Sequence, residues 1–180
     1  MGRLQHRTAP GCTYFVTTKT WQNHAVFQVP ENAEILIGCL IHYRDQGSYL
    51  LHEFVVMPNH LHLILTPSDT TTLEKAMILI KGGSSHHIHQ QRTKRMQIWH
   101  SGFHEQSVRD QRDYENKVAY VHQNPVRARL VDRPEDWDYS SATKKYRMDS
   151  VPERLKAFAS GAKASFLTKA DDVGAKAPTP

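Results

Sequence analysis

Two histidines placed two residues apart, His60 and His62, are the clearest candidates for chemistry in this chain. They interrupt the apolar run VVMPNHLHLILTP, which is typical of a buried β-strand. Because side chains alternate along a strand, both imidazoles project from one face, and the other face is filled by Leu61, Leu63 and Leu65. Two adjacent imidazoles can hold one divalent metal ion, and an unliganded pair would be costly to bury. The plainer alternative is a polar strand face that happens to contain two of the 12 histidines of the chain.

A second candidate is Tyr120, which stands off the apolar stripe of a predicted helix. That stripe has the spacing i, i+4, i+7 and is formed by Tyr114, Val118 and Val121. At about 100° per residue, Tyr120 lies on the polar side of the helix, in line with Lys117 and Asn124. A phenolate is a competent nucleophile toward phosphorus, and the resulting phosphotyrosine conserves bond energy for rejoining a strand. A tyrosine on a polar helix face is otherwise an ordinary surface residue.

Asn124 and Lys117 flank this tyrosine at a spacing of about one helical turn. The amide oxygen of Asn124 could join His60 and His62 on the same metal ion. Such an ion would polarise a phosphate and orient it for attack. Lys117 could lower the pKa of the tyrosine or contact phosphate. A solvated lysine explains its position at least as well.

Periodicity and turn residues predict the elements that must position these side chains. Strands are predicted over residues 12–19, 49–57 and 60–66, with a short strand around 106–108. The turn at Pro58 and Asn59 makes the second and third strands an antiparallel pair. Helices are predicted after Pro30 up to residue 46, from 72 into Gly82–Gly83, from about 109 to 124, and weakly over 153–158. The two glycines should break or kink the second helix, and Pro125 should end the third.

This order of elements predicts one α+β domain, an antiparallel sheet with helices packed on one face, of the ferredoxin-like or RRM-like class. A chain of 180 residues suits a single domain with its own core. No apolar run approaches the ~20 residues needed to span a bilayer, and the N-terminus lacks the apolar stretch of a secretory signal. We therefore expect a cytoplasmic protein without membrane partners, with Cys12 and Cys39 as reduced, packed thiols.

The net charge of +5 and the pI of about 9.2 point to a polyanionic partner. Charge alone does not separate DNA from RNA or from a membrane surface. Basic side chains in and around the predicted helices supply the candidate DNA contacts, namely Lys81, Arg92, Lys94, Arg95, Lys117, Arg127 and Arg129. A solvated, charged helix end explains the basic run over residues 86–95 almost as well.

Six motifs of this chain resemble those of the HUH (His-hydrophobic-His) single-tyrosine transposases of bacterial insertion sequences, and above all their REP-associated branch. They occur in order over about residues 11–142 as PNHLHLIL, KGGSSH, WHSGFHE, VRDQRDY, YVHQNPVRARLV and WDYSSA. The resemblance implies the HUH transposase fold. We expect an HUH domain over residues 1–142 and a basic, partly disordered extension over residues 143–180.

The resemblance also implies roles for individual residues. His60 and His62 become metal ligands, Tyr120 the nucleophile and Asn124 the residue that completes the site. Many insertion-sequence relatives carry glutamine at the position of Asn124, so the asparagine favours the REP-associated branch. The resemblance further implies a Mg²⁺ or Mn²⁺ cofactor, a 5′-phosphotyrosine intermediate with a free 3′-hydroxyl, and recognition of imperfect DNA hairpins beside a short guide sequence. Some relatives are dimers in which each tyrosine serves the partner's metal site, so a homodimer is an open alternative.

These features predict a metal-dependent strand transferase that cleaves and rejoins single-stranded, hairpin-forming DNA. Two alternatives belong to other classes. A non-catalytic nucleic-acid-binding module on an RRM-like sheet would need aromatic side chains at exposed strand positions, where this sequence offers histidines. A metallohydrolase that uses a metal-bound water would release products that carry no protein.

Overall fold

The protein is described by a computed structural model that covers residue 9 and residues 11–93 and 95–157. Four antiparallel strands form one sheet in the order β2-β3-β1-β4, namely β1 (Tyr14–Lys19), β2 (Tyr49–Met57), β3 (His60–Pro67) and β4 (His104–Ser107). The α-helices of the described residues are α1 (Pro30–Asp45), α2 (Leu73–Gln90), α3 (Gln111–Arg127) and α4 (Glu153–Ala157). The predicted α+β class with an antiparallel sheet is confirmed, and the weakly predicted last helix is α4.

The two faces of the sheet pack against different helices. Helices α1 and α2 cover the face on which Leu61, Leu63 and Leu65 are completely buried. Helix α3 packs through Tyr114 and Val121 against the opposite face, on an apolar patch formed by Val55, Met57 and Ile64. The prediction of helices on one face therefore holds for α1 and α2. Helix α3 differs because its own apolar stripe needs a second apolar surface to bury.

An irregularity in β2 decides which of its side chains face α3. The register between β2 and β3 shifts between Leu51 and Glu53, so that His52 is an extra residue in the strand. Such a bulge reverses the alternation of side chains. Leu51 consequently packs with α1 and α2, whereas Glu53 reaches α3.

Glycines have different roles in α1 and α2. Gly47 follows α1 at φ +73°, and its N–H and that of the next residue donate to carbonyls of the last helical turn. The predicted stop of this helix is thus confirmed. The predicted break of α2 at Gly82–Gly83 is wrong, because the helix continues to Gln90. A Cβ on Gly83 would lie 2.7 Å from the hydroxyl of Tyr43, so this glycine permits the close approach of α1.

Helix α3 runs past the proline that was predicted to end it. Pro125 lies inside the last turn, its side chain is buried, and the helix ends at Arg127. A proline there lacks the N–H that would bond to the carbonyl four residues earlier, so one helical hydrogen bond is lost, and only two helical residues follow it. Arg129 has φ +57°, and the next N–H, of Leu130, donates to the carbonyl of Pro125 at 3.0 Å. This is the hydrogen-bonding pattern of a Schellman C-cap with a non-glycine residue in the left-handed position.

The segment after α3 covers the free edge of β2. Trp137 Nε1 donates to the carbonyl of Val56 at 2.9 Å, and the Val56 N–H donates to the carbonyl of Tyr139 at 2.9 Å. These bonds satisfy backbone groups that an open edge would expose. Further along, Leu155 of α4 is buried against the core. The predicted boundary at residue 142 stays a prediction, and residues 158–180 of the predicted partly disordered extension lie outside the described residues.

Two smaller expectations concern the membrane and the cysteines. Among the described residues, no helix has the length and apolar character needed to cross a membrane. Cys12 and Cys39 are both free, the first partly exposed and the second buried. Their prediction as unpaired thiols is confirmed.

Candidate active site on the face shared with helix α3

His60 and His62 lie at the start of β3, on the face of the sheet that α3 partly covers. Their ring centroids are 4.8 Å apart. His60 Nδ1 is 2.7 Å from Asn59 Oδ1, and His62 Nδ1 is 2.8 Å from Thr17 Oγ1. Asn59 Oδ1 only accepts, so His60 Nδ1 donates to it and His60 Nε2 keeps its lone pair. The Thr17 hydroxyl holds the ring of His62 through Nδ1 in the same way that side-chain partners commonly orient metal-binding histidines.

Burial lowers the pKa of both histidines. For His62, burial followed by the neighbouring His60 and Lys19 lowers the pKa to about 3. The pKa of His60 is lowered by burial, opposed by a hydrogen bond with the Asn124 side chain and aided by Lys19. Both imidazoles are therefore neutral at pH 7, which is the form that binds a metal ion.

Helix α3 places Tyr120 against this histidine pair. Its ring centroid is 5.3 Å from that of His62, at an interplanar angle of 79°. Phe15 on β1 stacks on His62 at 5.4 Å and meets the edge of Tyr120 at 5.7 Å. Tyr120 is still 40% exposed, so a large substrate can reach its hydroxyl.

Asn124 completes the group one helical turn after Tyr120. Its side chain hydrogen-bonds to His60. The structure therefore brings together the four residues singled out in the sequence, His60, His62, Tyr120 and Asn124. In the described part of the chain, no three His, Cys, Asp or Glu side chains are grouped so that they could hold a metal ion. The donor set at this position is two imidazoles and one amide, which suits a divalent cation of borderline character.

Lys117 is engaged in contacts that attach α3 to the edge strand. Its Nζ lies 3.0 Å from Asp113 Oδ1 and 3.3 Å from Gln106 Oε1 on β4. Although burial acts in the other direction, hydrogen bonds from the Arg109 N–H and from Lys117 lower the pKa of Asp113. The ammonium of Lys117 is therefore already paired, and its side chain is only 15% exposed.

A second polar cluster, absent from the sequence-based candidates, fixes the other side of α3. His122 Nε2 is 2.8 Å from Glu53 Oε2, and Ser141 Oγ donates to the same carboxylate oxygen at 2.5 Å. Glu53 faces α3 because of the bulge in β2. The sequence shows His122 two residues after Tyr120, but the partners of His122 become evident only from the fold.

Two of the predicted DNA contacts are occupied by other bonds. Lys81 Nζ donates to the carbonyls of His100 at 2.7 Å and Gly102 at 3.0 Å. Burial lowers the pKa of Lys81 to about 8. Arg92 Nη1 lies 3.0 Å from Met96 Sδ at the end of α2. Lys81 therefore holds the loop at His100 and Gly102, and its contact with DNA stays a prediction.

The other basic candidates differ in position. Arg127 lies next to Tyr120, with its guanidinium carbon 5.2 Å from the ring centroid. Arg95 and Arg129 are exposed. Lys94 lies outside the described residues.

Strand β1 contributes three site residues that the sequence did not reveal. Phe15, Thr17 and Lys19 share one face of the strand, and Thr17 and Lys19 stand directly opposite His62 and His60. The alternation in TYFVTTK indicates that these three residues share a face. It does not indicate that β1 lies between β3 and β4, and that strand order puts them in the site.

Comparison with known proteins decides the family. A family model described as "Transposase IS200 like" matches residues 9–124, a range that includes all four residues of the candidate site. The chain belongs to the IS200-like transposase family.

Two individual relatives show which members of this family the chain resembles. The REP-associated tyrosine transposase of Escherichia coli (strain K12) is 26% identical over 132 residues, which is 73% of this chain and 76% of that protein. A putative REP-associated tyrosine transposase of Haemophilus influenzae is 25% identical over 108 residues, or 54% of this chain and 61% of that protein. These matches confirm the predicted resemblance, and the predicted enzyme class, tyrosine transposase, is that of the relatives. Such transposases generally use a divalent metal ion.

A solved structure confirms the fold. The structure of a REP-associated tyrosine transposase bound to a REP hairpin superposes with a TM-score of 0.68 at 22% sequence identity. The match covers 84% of this chain and 92% of that one. The antiparallel sheet with its helices is therefore the architecture of this group of proteins.

Proposed function

We propose that this chain is a metal-dependent DNA strand transferase that cleaves and rejoins single-stranded, hairpin-forming DNA through a 5′-phosphotyrosine on Tyr120. The observation that carries the proposal is the contact of the Tyr120 ring with His62, whose ring lies 4.8 Å from that of His60. Family membership supports transposase chemistry. The hairpin bound to the structural relative supports hairpin DNA as the substrate, and we expect the reaction to take place in the cytoplasm.

His60, His62 and Asn124 would hold the divalent cation, Mg²⁺ or Mn²⁺. The fit lies in the donors, which are two neutral imidazoles with rings 4.8 Å apart and the side-chain amide of Asn124, which interacts with His60. Mn²⁺ accepts imidazole more readily than Mg²⁺, which prefers oxygen ligands. When bound, the cation supplies Lewis-acid polarisation of the scissile phosphate and helps to orient it.

Tyr120 supplies the nucleophile. Its phenol oxygen forms a bond to phosphorus while the bond from phosphorus to the 3′-oxygen breaks, and the phenol proton ends on the released 3′-hydroxyl. Attack by a 3′-hydroxyl on the phosphotyrosine reverses these steps and rejoins the strand. Arg127 brings a positive charge to the phosphate that approaches Tyr120, and Phe15 holds the rings of Tyr120 and His62 in place.

The decisive experiment is adduct formation with labelled single-stranded hairpins in Mn²⁺, read on a denaturing gel. Tyr120→Phe should lower the covalent adduct by at least about 10³-fold, since removing a nucleophile removes the covalent pathway. DNA binding should change by less than about 3-fold, because the ring and its contacts remain. Tyr139→Phe is a matched control, because Tyr139 packs against the core under α1 and α2, and it should leave the adduct unchanged. An adduct that persists in Tyr120→Phe, or that forms in EDTA, would contradict the proposal.

Two other functions receive less support. An RRM-like binding surface stacks bases on exposed aromatic residues of the strands, but Phe15 is partly buried against His62 and Tyr120. A metallohydrolase would give cleavage products free of protein and only a mild effect of Tyr120→Phe. The same gel separates this outcome from strand transfer.

A further inference from the structure

The turn that follows β1 has an unusual backbone. Residues Trp21–Asn23 form a short 3-10 turn in which Gln22 and Asn23 have φ values of 50° and 57°. Two successive non-glycine residues in the left-handed region are strained, and such strain persists only where the surroundings hold it. Here Thr20 holds the turn, because its hydroxyl lies 2.7 Å from the carbonyl of His24 and 2.9 Å from that of Asn59.

This turn presents a stacked pair of aromatic rings. The indole of Trp21 and the imidazole of His100 are 6.5 Å apart at an interplanar angle of 23°. Trp21 is partly exposed and His100 is exposed. The neighbouring Trp99 shows the contrasting behaviour of a core residue, since it is 6% exposed and its Nε1 donates to Ser84 Oγ. We refer to the first two rings as the Trp21–His100 pair.

The Trp21–His100 pair lies beside the histidine end of β3. Lys19, two residues before Trp21, stands opposite His60 across the sheet. The Asn59 carbonyl accepts a hydrogen bond from the Thr20 N–H at 2.9 Å, and the Asn59 side chain holds His60 Nδ1. A single turn of the chain therefore connects the strained segment to a candidate metal ligand.

A half-buried lysine holds the other half of the pair. Lys81 donates to the carbonyls of His100 and Gly102, and Thr18 Oγ1 donates to Gly102 at 3.3 Å. Backbone bonds add to this, with Trp21 N–H donating to Ile98 and His100 N–H to Lys19. Both rings thus stand on backbone segments that are fixed from several sides.

We propose that Trp21, backed by His100, stacks on an unpaired base of the DNA strand beside the phosphate that Tyr120 attacks, while Lys19 neutralises a backbone phosphate. This inference rests on the proposed function. A flat ring beside a cation matches the chemistry of single-stranded DNA, because every base offers a face for stacking and every nucleotide a phosphate. The ligand of this site is therefore the unpaired flank of a hairpin, and the paired stem binds elsewhere.

The test compares two sets of hairpins, one blunt and one with a short unpaired flank on the 5′ or the 3′ side. The flank carries 2-aminopurine at one position at a time, so that stacking is read as a loss of its fluorescence. Wild-type protein should bind a flanked hairpin more tightly than the blunt one and quench one flank position. Trp21→Ala should lose about 10- to 100-fold in affinity for the flanked hairpin and abolish the quenching. Its affinity for the blunt hairpin should stay within about 2-fold of wild type.

Controls separate stacking from folding. Trp21→Phe keeps a flat ring and should retain most of the preference for the flanked hairpin. Leu50→Ala removes another exposed apolar side chain, at the opposite end of the sheet, and should change nothing. An equal loss for blunt and flanked hairpins in Trp21→Ala, or no loss for either, would overturn the inference.

Adduct formation by the wild-type protein distinguishes failure of this inference from failure of the proposed function. If the adduct forms but Trp21→Ala binds flanked DNA as wild type does, strand transfer stands and the stacking site is wrong. If no adduct forms and the flank preference still depends on Trp21, the stacking site stands and strand transfer is wrong.

Discussion

The two faces of the sheet are built from the same strands but have opposite characters. The face under α1 and α2 is apolar and closed, with Phe54, Leu61 and Leu63 at 0% exposure. The face shared with α3 carries His60, His62, Thr17 and Lys19 along neighbouring positions of two strands, and α3 covers only part of it. A closed apolar face supplies most of the stability, so the other face can carry buried polar groups that stabilise little and serve chemistry.

The sharpest way to break this division is to alter adjacent residues of β3 that point to opposite faces. Leu63→Ala removes a completely buried side chain and should lower the free energy of unfolding by about 2–5 kcal/mol. His62→Ala should have a smaller effect, about 1 kcal/mol, but should lower adduct formation by at least about 10²-fold because a candidate ligand is lost. Urea unfolding without added metal and the adduct gel measure the two effects.

Two results would contradict the idea that one face of the sheet supplies stability and the other supplies the chemistry. Loss of adduct in folded Leu63→Ala, or retention of adduct in His62→Ala, would show that the chemistry does not depend on which face is altered. Because Leu63→Ala unfolds more easily, its adduct is measured at low temperature and normalised to the folded fraction.

Sequence patterns predicted the closed face more fully than the open one. Alternation in HLHLILT placed Leu61 and Leu63 inside and the histidines together, because β3 is regular over its whole length. The pattern in β2 is interrupted by the bulge at His52, so simple alternation assigns Glu53 to the wrong face. Strand register depends on tertiary pairing, which a single sequence does not contain.

The next prediction concerns the packing of α1 against α2, the two helices that cover the closed face, and compares two neighbouring glycines of α2. Gly83→Ala should lower the free energy of unfolding by about 1–3 kcal/mol, because its Cβ would lie 2.7 Å from the hydroxyl of Tyr43. Gly82→Ala, with no neighbouring atom within 4 Å, should raise it by about 0.5–1 kcal/mol through helix propensity. Urea midpoints of the two variants give the comparison.

A second substitution identifies the cause of the loss. Tyr43→Phe removes the hydroxyl that the new methyl group would meet, so it should restore part of the stability of Gly83→Ala. Two equally stabilised alanine variants would instead mean that α1 and α2 are packed loosely enough to move apart.

Residues three or four apart on α3 show how much of the site helical spacing could predict. Helical spacing alone put Lys117, Tyr120 and Asn124 on one side, and the structure keeps that side toward the histidines. The same spacing placed Asp113 in line with Lys117, and the two are paired, but the second partner of Lys117, Gln106 on β4, becomes evident only from the fold. Helical spacing also gave no acceptors for Lys81, which donates to carbonyls of a loop some twenty residues away, and its role as a DNA contact stays a prediction.

His52, the extra residue at the bulge in β2, should make the stability of the protein depend on pH. His52 is 1% exposed, with Nδ1 facing the carbonyl of Asp149 and Nε2 facing Thr66 Oγ1. A carbonyl only accepts, so Nδ1 carries the single proton and Nε2 accepts from Thr66. Burial lowers the pKa of His52 below its ordinary value of 6.5. Below pH 6.5 the unfolded chain takes up a proton that the folded chain resists.

Stability is therefore fully present above pH 6.5 and falls as the pH is lowered, by up to about 1.4 kcal/mol per pH unit for this one group. His52→Gln keeps a donor and an acceptor but does not titrate, so its free energy of unfolding should fall less steeply between pH 7 and pH 5. Protonation of His60 and His62 also lowers the stability at low pH, but it does so equally in the wild type and in His52→Gln. Its effect therefore cancels when the two pH profiles are subtracted. Parallel pH profiles would show that His52 is protonated as easily in the folded chain as in the unfolded one.

The smallest effect is expected at the end of α3, where the open face tolerates backbone strain. Arg129 occupies the left-handed position of the C-cap at φ +57°, a position that glycine fills without strain. Arg129→Gly should raise the free energy of unfolding by about 0.5–1 kcal/mol, whereas Arg129→Ala should leave it nearly unchanged. Both variants remove the same charge. If Arg129 contacts phosphate, both variants should lose the same DNA affinity, and the salt dependence of binding should fall by about one charge. Equal losses of affinity together with unequal stabilities would then assign the affinity to the charge of Arg129 and the stability to its backbone conformation.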